Sequence, residues 1–430
     1  MEHGILRKLL TLIFCAFASI ASAAPSSKTY AQELVDRMIE KYPDVLVMAV
    51  HVTPPKQAEN IIIASNIGRI GKAADADDLK VIRTGVPNLA VNKSGDRFEA
   101  ELVMRDANSR PIGALGVVFP YKPGDDKIAL QKRAETIRDD VARRISHVAN
   151  LLEPAQFDTA VPTHTYAQAL VDRALARHPH VVILALHAQP PQVKSNVIVA
   201  SNIGRIGKKA DEDDMHVINT GESKLELNET GDRYEVEQTL LDVSGSVIGA
   251  VGVVFPYKKG QDTAPLQKEA AQVREEISRR ISNVGNLVQP DPFDPKYRSD
   301  TEAQKLLDAS LEGHRDVLIM AMHVAAPDGS GYIIAASNIG RIGKRADEDD
   351  LSVINTGKPN TEINENGNRF EVEIPMTDAS QRKIGALSVV YPYKNGTDKN
   401  ALQRSAESIR DELAARIPSN NALFAPSGGR

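Results

Sequence analysis

Between residues 29 and 152 the spacing of apolar positions changes several times, and each change marks an element. In TYAQELVDRMIEKYPD, Leu34, Val35, Met38 and Ile39 share one face of a helix that Pro43 stops. VLVMAVHV, next, is apolar almost throughout, the pattern of a strand covered on both faces. NIIIASNIG predicts a second strand. DADDLKVIRTG predicts a short helix, its acids at the cap and first turn and Gly85 closing it. Three strands follow, around LAVN, RFEAELVMRD and PIGALGVVFPYK, joined by turns at Ser94-Gly95 and Asn108-Ser109. In the middle one, Phe98, Ala100, Leu102 and Met104 face one way, and Arg97, Glu99, Glu101 and Arg105 the other. The last stretch, DKIALQKRAETIRDDVARRISHVANLL, aligns Leu130, Ala134, Ile137, Val141, Ile145 and Val148 on one stripe. It predicts a helix of about 40 Å at 1.5 Å per residue.

This order predicts a five-stranded antiparallel sheet with helices on one face, an α/β (α+β) unit of two layers. The order occurs three times. SNIGRIGK stands at 65–72, 201–208 and 337–344, and an offset of 136 residues holds without a gap from Tyr30, Tyr166 and Glu302 to Ile145, Ile281 and Ile417. A repeat of that length is a domain rather than a solenoid turn. Units are expected at 28–154, 164–290 and 300–424. The Pro-rich stretches between them, LLEPAQFDTAVPTHT and LVQPDPFDPKYRSDT, read as short stiff linkers, and residues 425–430 as a flexible tail.

The element order resembles the PAS and Cache (PDC) folds. The run Asn66-Ile67-Gly68-Arg69-Ile70-Gly71-Lys72 is followed by Asp77-Asp78, by Thr84-Gly85 and by a strand carrying Gly113-Ala114-Leu115-Gly116-Val117-Val118. Together these look like the extracytoplasmic Cache domains of bacterial sensor kinases, and the citrate- and dicarboxylate-sensing kinases are similar in pattern. The resemblance implies three tandem PAS/Cache-like domains, each sheet packed by a long N-terminal and a long C-terminal helix, and a part in signal transduction. In that family, basic and hydroxyl side chains of the loop and strands hold a small carboxylate. This implies ligand-binding parts for Ser65, Arg69 and Lys72, for Ser201, Arg205 and Lys208, and for Ser337, Arg341 and Lys344. The chain departs from those kinases in carrying no kinase and no membrane span after its first segment.

An arginine offers five fixed donors suited to a planar carboxylate. One such pair contributes roughly 1.5–3 kcal/mol, so two or three are needed for micromolar affinity, about −8 kcal/mol. The competing reading pairs each arginine with its own acids, Asp75 or Asp78 in the first copy, and pins the loop. Of ten histidines, only His51, His187 and His323 share a register, inside apolar strands on the face of Ala49, Ala185 and Ala321. Each is either a satisfied core imidazole or a pocket residue. Tyr121, Tyr257 and Tyr393, just past strand-ending prolines, are candidates to stack on or hydrogen-bond a ligand at the pocket rim.

No metal is expected. No second ligand stands near His51 at zinc spacing, and Asp75, Asp77 and Asp78 lack the calcium-loop pattern, so helix-start acids explain them. A phosphate loop needs four residues between Gly and Gly-Lys, and here there are two. No nucleophile elbow, Ser/His/Asp order or pair of carboxylates near an apolar pocket presents itself, so neither an enzyme nor a cofactor is expected.

The formal charge of −5 is spread along the chain without a basic block, which argues against nucleic-acid binding. Aromatics at 4% and the absence of Trp favour several modest cores over one large one. The first 23 residues differ in kind: Arg7 and Lys8 precede LLTLIFCAFASI, which runs to Ala21-Ser22-Ala23. This is a secretory signal cleaved after Ala23, too short for the roughly 20 apolar residues of a membrane span. Cleavage removes Cys15, the sole cysteine. The expected protein is periplasmic or secreted. It binds a small carboxylate or another polar metabolite and delivers signal or cargo to a membrane sensor or transporter. The alternative is an interaction protein whose repeats are multivalent docking modules; an enzyme ranks third.

Overall fold

The computed structural model describes residues 28–428, so the segment expected to be a secretory signal, with Cys15, and the last two residues lie outside it. Helix α1 (Tyr30–Lys41) starts where Thr29 Oγ1 accepts a hydrogen bond from Gln32 N, and it buries Tyr30, Ala31, Leu34, Val35 and Met38. Strands β1 (Val47–Val52) and β2 (Ile61–Ser65) lead into the SNIGRIGK loop and then α2 (Ala76–Thr84). Asp75 and Asp78 form a reciprocal capping box at the start of α2, and Gly85 ends it at φ +70°. Strands β3 (Asn88–Val91), β4 (Arg97–Arg105) and β5 (Pro111–Pro120) complete an antiparallel sheet ordered β2-β1-β5-β4-β3. Helices α3 (Lys127–Ala142) and α4 (Val148–Leu151) close the unit.

The same sheet order returns in a second unit, from the helix Tyr166–Arg177 to the helix Val284–Leu287. It returns again in a third, from Glu302–Gly313 to Asn420–Phe424. Each unit has its own apolar core. The architecture is mixed α/β with three five-stranded antiparallel sheets, consistent with three tandem PAS-like domains. No helix among the described residues is long and apolar enough to cross a membrane.

Three details depart from the expected unit. The C-terminal helix stops at Ala142 instead of running to Leu152: Ile145 O accepts Ala107 N from the β4–β5 turn at 2.8 Å, and Asn150 Oδ1 accepts Ser146 N at 3.2 Å. Ile145 and Leu151 stay buried across the break, so the apolar stripe continues and hides it. The N-terminal helices are not long, at twelve residues each. Helices also cover both faces of the sheet, not one. Leu34, Met38 and Ile137 pack with Phe98, Leu102 and Phe119 on one side, whereas Val81 of α2 packs on Val103 and Ala114 on the other.

Strand β5 passes unusually close to β1. A Cβ on Gly113, Gly249 or Gly385 would lie 1.8–1.9 Å from the carbonyl oxygen of His51, His187 or His323. Gly385→Ala is therefore expected to cost about 1–3 kcal/mol by forcing the strands apart. Urea denaturation followed by circular dichroism reads the loss; an unchanged midpoint would mean that the strands part freely.

Candidate functional site

Side chains of β1, β4 and β5 that point away from α1 and α3 form the floor of a cleft roofed by α2 and the SNIGRIGK loop. In the first unit this cleft holds about 90 Å³ and is lined by His51, Glu99, Glu101, Asp78, Arg69 and Lys72, among others. His51 projects from β1, the glutamates from β4 and Asp78 from α2. Carboxylate oxygens of Asp75, Asp78 and Glu101 lie within 4.8 Å of one another, as do those of Asp347, Asp350 and Glu373 in the third unit.

An imidazole abuts these acids in every unit. His51 Nδ1 is 3.3 Å from Asp78 Oδ2, His187 Nδ1 3.0 Å from Asp214 Oδ2, and His323 Nδ1 2.8 Å from Asp350 Oδ2. The three buried ring nitrogens face these carboxylates without a well-aligned hydrogen bond and keep bonding capacity. The acids already hold other partners: Asp78 Oδ2 accepts the backbone Asp75 N at 2.9 Å, and Glu101 Oε2 accepts the Asn88 side-chain Nδ2 at 3.0 Å.

Burial, reinforced by neighbouring negative charge, holds the floor glutamates far above the usual carboxylate range. Glu101 is pushed up to about 7, with Asp78 and Glu99 adding to burial. Glu237 rises to about 9 through burial, Asp214 and Glu235, and Glu373 to about 8 through burial and Asp350. Burial lowers His51 despite the pull of Asp78 and Asp75. Asp214 and Asp350 end below the ordinary range, because contact with His187 and His323 outweighs burial.

The loop itself does something the sequence did not suggest. Arg69, Arg205 and Arg341 sit at φ +68°, +65° and +66°, left-handed backbone that a non-glycine residue rarely adopts. Arg205 reaches out of its unit to Glu153, with Nε to Oε2 at 2.9 Å and Nη2 to Oε1 at 3.0 Å. Arg341 Nε likewise donates to Gln289 Oε1 at 3.1 Å. Both partners belong to the preceding unit, not to the loop's own acids.

The rest of the loop is held from the same side. Tyr30 Oη shares its proton between Arg144 O at 2.8 Å and Asn202 O at 3.1 Å, and Tyr166 Oη donates to Asn338 O at 2.7 Å. Asn150 Nδ2 donates to Ile203 O at 3.0 Å, and Asn286 Nδ2 to Ile339 O at 2.8 Å. A Cβ on Gly204 or Gly340 would meet the tyrosine ring at 2.5–2.6 Å, which is why glycine stands there. Thus the second and third loops are joints between units, while among the described residues no unit stands against the first.

The other sequence candidates divide. Ser65, Ser201 and Ser337 are buried, their hydroxyls accepting Ile67 N, Ile203 N and Ile339 N at 3.1–3.3 Å, so they fasten the turn. Lys72 lines the first cleft, and Lys208 and Lys344 hold its place in the repeat. Tyr121, Tyr257 and Tyr393 stack on Phe98, Tyr234 and Phe370 at 6.0–6.4 Å, on the helix-covered face opposite the cleft. Asp78, Glu99 and Glu101 were missed as site residues. The signal for the two glutamates was the polar side of β4, repeated as Glu235 with Glu237 and as Glu371 with Glu373, which alternation alone assigns to solvent.

No protein-family model matches the chain, and no curated protein does. Among solved structures it is similar to the targeted domain of an IclR-family transcriptional regulator, at 14% identity and TM-score 0.19, over 26% of this chain and 93% of that one. It is similar to the E. coli DhaR(N)–DhaL complex at 10% identity and TM-score 0.20, over 53% and 84%. For the inducer-binding domain of PobR from Acinetobacter, solved with 3-hydroxybenzoic acid, the identity is 10% and the TM-score 0.13, over 58% and 95%. Likenesses this faint say nothing about activity.

Proposed function

We propose that the chain is an extracytoplasmic small-ligand-binding protein of three Cache-like units, and that the cleft of the first unit is its working site. The cleft suits a small polar metabolite that carries both charges. Arg69 and Lys72 receive a carboxylate, and Asp78, Glu99 and Glu101 an ammonium or other cationic end. In the later units the arginine is turned toward Glu153 or Gln289 and away from this role. Export by the segment at 1–23 and contact with a membrane sensor or transporter complete the reading.

The observation that carries it is the buried cluster of carboxylates around an imidazole, repeated in all three units, with glutamates shifted well above their ordinary range. Such a cluster is costly to bury, and shifted groups gathered in a cleft are where binding and catalysis concentrate. A thermal-shift screen of the protein lacking residues 1–23, against amino acids, amines and small carboxylates, tests it. A ligand at 100 times its dissociation constant adds about 2.7 kcal/mol of stability, and Arg69→Ala should abolish the shift for any carboxylate. A shift undiminished in that variant, or none from any compound, would defeat the assignment. The bonds from Tyr30, Asn150 and Glu153 into the second unit's loop favour a second reading, a scaffold of docking modules.

A further inference from the structure

The two joints define what a SNIGRIGK loop accepts, and the first loop is open to it. At the first joint Val182, Ile203 and Ile206 are 8%, 4% and 2% exposed. Their equivalents Leu46, Ile67 and Ile70 are 40%, 46% and 57% exposed, an apolar patch beside a left-handed arginine. Arg97 is exposed too, whereas its equivalents Arg233 and Arg369 donate to Ser146 O at 2.7 Å and Ser282 O at 3.1 Å. The first unit keeps the receiving groups of a joint, and no described residue covers them.

The far end of the chain is built the opposite way. Where the first two units present Tyr30 or Tyr166, the third has Glu302. Arg143 and Arg279, which donate to Leu175 O and Leu311 O across the joints, are replaced by Ala415. Ser146 and Ser282 become Pro418, Asn150 and Asn286 become Ala422, and Glu153 and Gln289 become Ala425. Stacked repeats need a terminal unit whose outer face no longer docks. The third unit is such a cap, and the first is not.

We infer that the exposed loop of the first unit is a docking surface for another polypeptide that ends in a unit of this same kind. That partner presents a tyrosine on the first turn of its N-terminal helix, and an asparagine followed three residues later by Glu or Gln near its end. A second copy of this chain does not meet that description through its third unit, which carries Glu302, Ala422 and Ala425.

Rebuilding the missing end on the chain itself provides the probe. The variant Glu302→Tyr, Ala415→Arg, Pro418→Ser, Ala422→Asn, Ala425→Glu is expected to associate head to tail, its sedimentation coefficient rising with concentration. Ile67→Glu with Ile70→Glu in the same chain should return it to a monomer. If the full set impairs folding, as judged by circular dichroism, Glu302→Tyr with Ala422→Asn alone should still associate, more weakly. Folded variants that stay monomeric at all concentrations would overturn the inference. So would self-association of the unaltered chain that Ile67→Glu removes, since the occupant would then be a second copy.

Discussion

Between pH 6 and pH 9 the second and third units are expected to lose stability, and Glu237→Gln with Glu373→Gln should flatten that loss. Glu237 is pushed up to about 9 and Glu373 to about 8 in the folded chain, whereas an unfolded glutamate titrates near about 4.3. A carboxyl raised on folding binds its proton more tightly in the native state. Its contribution is complete below about pH 4.3 and vanishes as pH climbs through 8 and 9. Each proton so linked contributes up to about 1.4 kcal/mol per pH unit. Asp214 and Asp350 are shifted the other way and lose their contribution only in acid, so the alkaline window belongs to the glutamates. In the first unit the lowered His51 adds a loss on the acid side, as pH falls through 6.5. Calorimetric melting temperatures across this range provide the check. A flat profile in the parent chain would mean that water reaches these carboxyls freely.

Tyr166→Ala should cost about 3–5 kcal/mol and split one unfolding transition into two. The ring is buried at the second joint, lies against Gly340 and donates its phenol proton to Asn338 O. Removing a buried aromatic ring leaves a cavity of that order of cost. Tyr166→Phe, which keeps the ring, should cost only about 1 kcal/mol. Urea titration followed by circular dichroism separates the two. If Tyr166→Ala unfolded like the parent chain, the ring would be dispensable to the joint.

Much of the architecture was legible in the residues themselves. A fixed offset marks the triplication, the alternation of Phe98, Ala100, Leu102 and Met104 marks the core face of β4, and Asp75 and Gly85 mark the ends of α2. The cleft was only half legible. His51 and the loop arginine were visible as candidates, but Glu99 and Glu101 look solvated until α2 is known to fold over that side of the sheet. The joints were not legible at all. Tyr30 and Asn202 are 172 residues apart, and Asn150 and Ile203 are 53. No local period connects residues that meet only when one unit lies against the next. The same blindness affected Arg205, whose partner is sought naturally among the acids beside it and is found 52 residues upstream.

The tyrosine and asparagine of each joint address main-chain oxygens, those of Asn202 and Ile203 or of Asn338 and Ile339. Such a joint reads the path of the backbone before it reads lettering. Side chains around it can drift, provided the glycines keep the path, but inserting a single residue would carry every oxygen out of reach.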